Sequence, residues 1–167
     1  PEPPASTILN EHFWANKINN EGRYDIVITG DSRVYRGVDP HIISKKMNLS
    51  SFNYGFSSAG LDSLLINNAI RLLDPKGKKI LMMGITPASF TDESLKNEHL
   101  KSLQKLDQKV LWIQKNLYPS LSFFNAYSLS DLKKIQQNEK YFQTFSDNGF
   151  AFSNRTPADT FIALKPY

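Results

Sequence analysis

The chain has 167 residues, 40% hydrophobic, 12% aromatic and 22% charged, an ordinary globular composition that excludes collagen-like, low-complexity and wholly disordered classes. One packed core is expected at this length, burying roughly two-thirds of the surface an unfolded chain exposes. Twenty basic against sixteen acidic residues give a net charge of +4, spread over helix-like segments without a basic stripe or a binding motif, which argues against a nucleic-acid partner.

The absence of cysteine excludes a disulfide framework, a thiolate metal site and a Cys nucleophile. His12, His41 and His99 lack metal-ligand spacing, so neither a metal nor a cofactor is expected. The longest apolar stretch, ILMMGI at 80–85, is far short of the roughly 18 residues a membrane helix needs. The Pro-rich start PEPPAS and the apolar end DTFIALKPY lead us to expect a natural protein that continues beyond both ends.

In chain order, residues 1–23 read as an approach segment, amphipathic around His12, Phe13, Trp14 and Ile18 and closed by the turn NNEG at 19–22. Residues 24–167 read as a single α/β domain. YDIVIT at 24–29 is a β-branched run that predicts a buried strand. Asp39 and Pro40 predict an N-cap and first turn for a helix over 40–47. SSFNYGF at 50–56 predicts the second strand, and the leucine spacing from Leu61 to Leu73 an amphipathic helix. KILMMGI at 79–85, apolar on both faces, predicts a third, central strand. A stripe from Leu95 through His99 and Val110 to Leu117 predicts one long helix over 91–117. A further helical piece is expected at 129–145, then a hairpin in SDNGFAF turning at Asn148 and Gly149.

Strands alternating with helices imply a parallel sheet in a three-layer α/β/α sandwich, flavodoxin-like in a 2-1-3 strand start, of which this chain holds the amino-terminal part. Ligands of such sheets sit outside the carboxyl ends of the strands, so the loops after residues 29, 55 and 84 become the candidate site. The first carries Gly30, Asp31 and Ser32, the second Gly55, the third Gly84 and Thr86. Each admits an ordinary reading as well: Asp and Ser cap helices, and glycines serve turns.

This order of blocks resembles the SGNH or GDSL hydrolases: Gly-Asp-Ser after the first strand, a glycine after the second, Gly-x-Asn-Asp after the third. The resemblance covers roughly residues 24–90. It implies that Ser32 is the nucleophile, that Asp31 supports its loop, and that the N–H groups of Ser32 and Gly55 form an oxyanion hole. Thr86 stands where the family has its third donor, an Asn, and Gly84 opens that block; loss of one such donor costs roughly 100- to 1,000-fold in rate. Arg33 and Arg36 flank the nucleophile and are candidates for holding an anionic substrate group.

The family's Asp-x-x-His, which carries the general base, is absent from this sequence. His99 reads as a core or boundary residue, His41 leads away from the strand edge, and His12 reaches the pocket only if the approach segment folds over it. The GDSRVYRG form with Gly-x-Thr-Pro is similar to membrane-anchored bacterial members that act in O-acetylation of envelope polysaccharides. That likeness implies an exported, envelope-located serine esterase or O-acyltransferase, tethered upstream of Pro1 and completed by a histidine outside this chain. The alternative is a non-catalytic module of the same fold that binds glycan or a protein. A third reading, a flavodoxin-like phosphate or nucleotide binder, is weaker because this sequence has neither glycine-rich phosphate motif. The phenylalanines at 142, 145, 150 and 152 read as core.

Overall fold

The structure, a computed structural model, describes residues 10–117 and 143–153. Strands β1 (Ile26–Thr29), β2 (Ser51–Asn53) and β3 (Ile80–Met83) form a parallel sheet in the order β2-β1-β3, the expected 2-1-3 start. Val27 stands opposite Phe52 and Leu81.

Side chains alternate across β1. Val27 and Phe52 share one core with Leu65, Ala69 and Leu72 on the α4 side (Ser63–Arg71) and with Leu100 of α6 (Glu98–Gln104). Ile26 and Ile28 point the other way, onto Val34 of α2 (Ser32–Gly37) and Ile43 of α3 (Pro40–Met47). Local signals explain the helix starts. The Asp39 carboxylate accepts the His41 N–H at 2.8 Å with Pro40 in the first turn, and Asp62 accepts the Leu65 N–H at 2.9 Å.

Three expectations need correction. The long helix over 91–117 is instead three shorter ones, α5 (Asp92–Leu95), α6 and α7 (Gln108–Asn116), preceded by a 3₁₀ turn at Pro87–Phe90. Asn97 breaks it in left-handed conformation, φ 48°, because its carboxamide is bonded on both sides to Gly60, donating to the carbonyl at 3.0 Å and accepting the N–H at 3.1 Å. Asp107 makes the second break by capping α7. Strand β3 lies at the edge of the described sheet, not at its centre, and Met82 and Met83 are 40% and 45% exposed. The expected helix over 129–145 lies outside the described residues as far as 142, and its last three positions are strand β4 (Gln143–Phe145).

The hairpin itself forms as expected. Strand β4 pairs antiparallel with β5 (Ala151–Ser153), and Gly149 turns with φ 83°. Its tip meets the sheet, where the Asn53 N–H donates to Asn148 O at 2.9 Å. Phe145 packs tilted against Phe13, ring centres 4.7 Å apart, but Phe152 is 52% exposed and so is not core; Phe142 lies outside the described residues. Helix α1 (Asn10–Ile18) belongs to the same folded unit, burying Phe13 beside Tyr35 and Ala151.

Candidate functional site

Ser32 is the first residue of α2, directly after the carboxyl end of the middle strand, and Asp31 is the N-cap. Gly30 reaches this turn with φ 150°, and an added Cβ would stand 2.5 Å from Val34 Cγ2 and 2.8 Å from Gly84 O. The loop is bonded to both neighbouring strand ends. Gly84 N–H donates to Thr29 O at 2.9 Å, and Phe56 N–H donates to Gly30 O at 3.0 Å.

Asp31 accepts the Arg33 N–H at 2.9 Å, its Nε at 3.0 Å, and Nη2 in the same clamp. Arg33 Nη2 also donates to Thr86 Oγ1 at 2.8 Å, joining the ends of β1 and β3. Burial works to raise the Asp31 carboxyl, but the Arg33 hydrogen bonds and charge outweigh it and hold the group below the usual carboxylate range. A carboxylate with a lowered folded value contributes stability that is complete above that range and lost as the pH falls through it. Asp25, bonded by Lys78 N–H and by both Ser50 donors, is lowered as well. Urea midpoints measured from about pH 6 to 2 should therefore fall toward acid. Asp31→Asn, which keeps the cap oxygen, should flatten part of that fall and leave the Asp25 share; an unchanged profile would contradict the clamp.

The clamp changes the expected roles. Arg33 gives its Nε and Nη2 to Asp31 and Thr86, while its side chain stays 62% exposed. Thr86 Oγ1 accepts from Arg33 and is shared with Ser89 Oγ at 3.1 Å. Gly55 N–H, the expected oxyanion donor, donates to Asn53 Oδ1 at 3.0 Å. The Ser32 hydroxyl and N–H have no bonding partner among the described residues, and no histidine bonds to that hydroxyl there. His12 Nδ1 is 3.2 Å from Gln114 O, and His41 lies exposed on α3.

Beside this loop a pocket of about 470 Å³ opens between α1, α2, α6 and β4. Trp14, Tyr35 and Phe145 give it aromatic walls, and Arg36, Glu93 and Glu98 line it as charged groups. Arg36, expected as an anion holder, thus shares its pocket with two carboxylates. His99 lines it too; burial, then the Lys17 charge, hold its imidazole below the ordinary value, and its sealed Nδ1 has no partner among the described residues. Ser57 and Ser58 complete the rim, Ser58 with a left-handed φ of 52°, an uncommon conformation for a non-glycine residue.

Sequence reasoning missed Lys17. Its Nζ is buried, donates to Gly55 O at 2.6 Å, and lies 4.8 to 5.5 Å from the ring centres of Phe13, Tyr35, Phe56 and Trp14. Burial pushes its pKa well below the ordinary lysine value. The signal was present: Lys17 follows Phe13 and Trp14 by four and three residues, on the apolar face of the helix.

Among the described residues no three His, Asp or Glu side chains gather as a metal site, and no helix is long and apolar enough to cross a membrane. No protein-family model matches this chain, and comparison with curated proteins and with solved structures returns no match.

Proposed function

We propose that this chain carries an SGNH-like acyl-transfer site with Ser32 as nucleophile. The observation that carries the reading is the position of Ser32: it opens α2 at the carboxyl end of the middle strand of a parallel sheet, with Gly55 and Gly84 at the flanking strand ends. Helices against both faces of β1 support reading the sheet as part of a flavodoxin-like, three-layer sandwich. In the reaction Ser32 Oγ attacks an ester carbonyl while a base takes its proton. The alcohol leaves with that proton, and the acyl group passes from Ser32 to water or to a second alcohol. The Ser32 N–H is the oxyanion donor left open. This sequence has no Asp-x-x-His, so the resemblance implies a histidine base supplied from outside this chain, and esters of envelope polysaccharide at an exported location are the setting that it implies.

A second reading, a non-catalytic module binding glycan or protein, is favoured by one specific observation: Gly55 N–H and the Thr86 hydroxyl are both engaged inside the protein. A serine-reactive fluorophosphonate separates the two. Labelling that maps to Ser32, vanishes in Ser32→Ala and tracks ester turnover is the expected result. A folded full-length protein whose Ser32 stays unlabelled, with turnover unaffected by Ser32→Ala, would hand the site to the binding module.

A further inference from the structure

We infer that Lys17 is the positioning residue of this site, holding from inside the core the peptide on which the Ser32 loop rests. For its functional consequence the inference rests on Ser32 as nucleophile; the clamp itself stands on geometry alone. Lys17 Nζ donates to Gly55 O at 2.6 Å, and the N–H of the same peptide unit, that of Phe56, donates to Gly30 O at 3.0 Å. One peptide is therefore bonded at both ends, to α1 on one side and on the other to a residue two positions before Ser32. A donor on a carbonyl draws electron density toward its oxygen and makes the N–H of that peptide a stronger donor, so the two bonds reinforce each other. A lysine at this buried place carries a desolvation cost, and among the described residues no carboxylate pairs with it. The offset comes from the four ring faces and the Gly55 carbonyl. Packing alone would be served by leucine or methionine; what lysine adds is the donor.

The other end of α2 is anchored to the same strand. Asn53 Nδ2 donates to Val34 O at 2.9 Å and to Val38 O at 2.8 Å, so the helix that opens with Ser32 is tied at its far end to β2. Two rings of the Lys17 cage, Trp14 and Tyr35, also wall the pocket.

The test compares the full chain with Lys17→Met, well below the melting temperature of both, using fluorophosphonate inactivation and amide NMR. The expected result is an inactivation rate constant about tenfold lower with an inhibitor constant unchanged within twofold. The Phe56 amide proton should move upfield and exchange faster while the β1 amides hold their shifts. A rate constant equal to that of the parent, or losses spread evenly over all amides, would overturn the inference. If Lys17→Met does not fold, the parent chain decides: Phe56 N–H protected as well as Val27 N–H is expected, and exchange as fast as that of Ser58 would sink the clamp. If Ser32 is not labelled in the parent, the acyl-transfer reading fails, and the amide data still decide the clamp.

Discussion

Asn53→Leu is expected to lower stability by about 4 kcal/mol and the melting temperature by roughly 8 to 16 °C. The Asn53 carboxamide is buried and fully used: Nδ2 donates to Val34 O and Val38 O, and Oδ1 accepts the Gly55 N–H. Leucine has similar volume, so no cavity forms, but Val38 O and the Gly55 N–H lose their partner, while Val34 O loses one of its two donors and keeps the Val38 N–H at 3.0 Å. Each stranded group costs about 1 to 3 kcal/mol, partly offset by the added apolar burial. Asn53→Asp should do no better, since a carboxylate accepts from Gly55 but cannot donate to either carbonyl, and its charge is buried. Thermal unfolding of both variants checks this; a loss under about 1 kcal/mol would mean that water replaces the carboxamide. The variant also releases Gly55 N–H, so fluorophosphonate reactivity of any folded fraction reports whether that N–H serves an oxyanion once freed.

The contrast between Asn53 and the strand that holds it shows what was readable from sequence. The strands β1 and β2, the helix at Pro40–Met47 and the turn at Asn148–Gly149 follow from signals a few residues long: β-branched or aromatic runs, an Asp-Pro cap, an Asn-Gly turn. Such signals act locally, and their consequences are local. The long helix failed because its break at Asn97 is made by Gly60, which is 37 residues away in the chain, and periodicity holds no information about that partner. Among the described residues β3 is an edge strand; apolar residues on both faces are necessary for a central strand but do not specify a neighbour on each side.

The site divided along the same line. The position of Ser32 was readable because a strand followed by Gly-Asp-Ser fixes where the chain turns. The hydrogen-bond allegiance of the groups around it was not. Gly55 N–H turns to the side chain two residues before it, Arg33 clamps Asp31 while still exposed, and Lys17, a residue assigned to solvent by default, enters the core. Each choice is made between groups whose sequence neighbours look ordinary, and only the assembled loops decide it.

Gly84→Ala is expected to cost about 2 to 3 kcal/mol by overpacking, and Val34→Ala should remove most of that cost. An added Cβ on Gly84 would fall on Val34 Cγ2, and one on Gly30 would meet the same methyl, so the two block glycines form a cradle for one valine beneath the Ser32 loop. Val34 is buried and helical, where a β-branched side chain has one strongly preferred rotamer, so it cannot swing away cheaply. Val34→Ala alone should cost about 2 kcal/mol through lost burial and a small cavity. Independent sites would make the double variant worse by the sum, about 4 to 5 kcal/mol; a shared cradle predicts a loss near 2 kcal/mol, hence a coupling of roughly 2 kcal/mol. Urea unfolding of the four proteins measures the cycle, and additive losses would refute the cradle. Ser32 labelling should follow the same pattern, depressed in Gly84→Ala and restored in the pair, because Val34 lies two residues beyond the nucleophile. If labelling instead stays low in the pair while stability recovers, Gly84 serves the ligand directly and not only the valine beneath it.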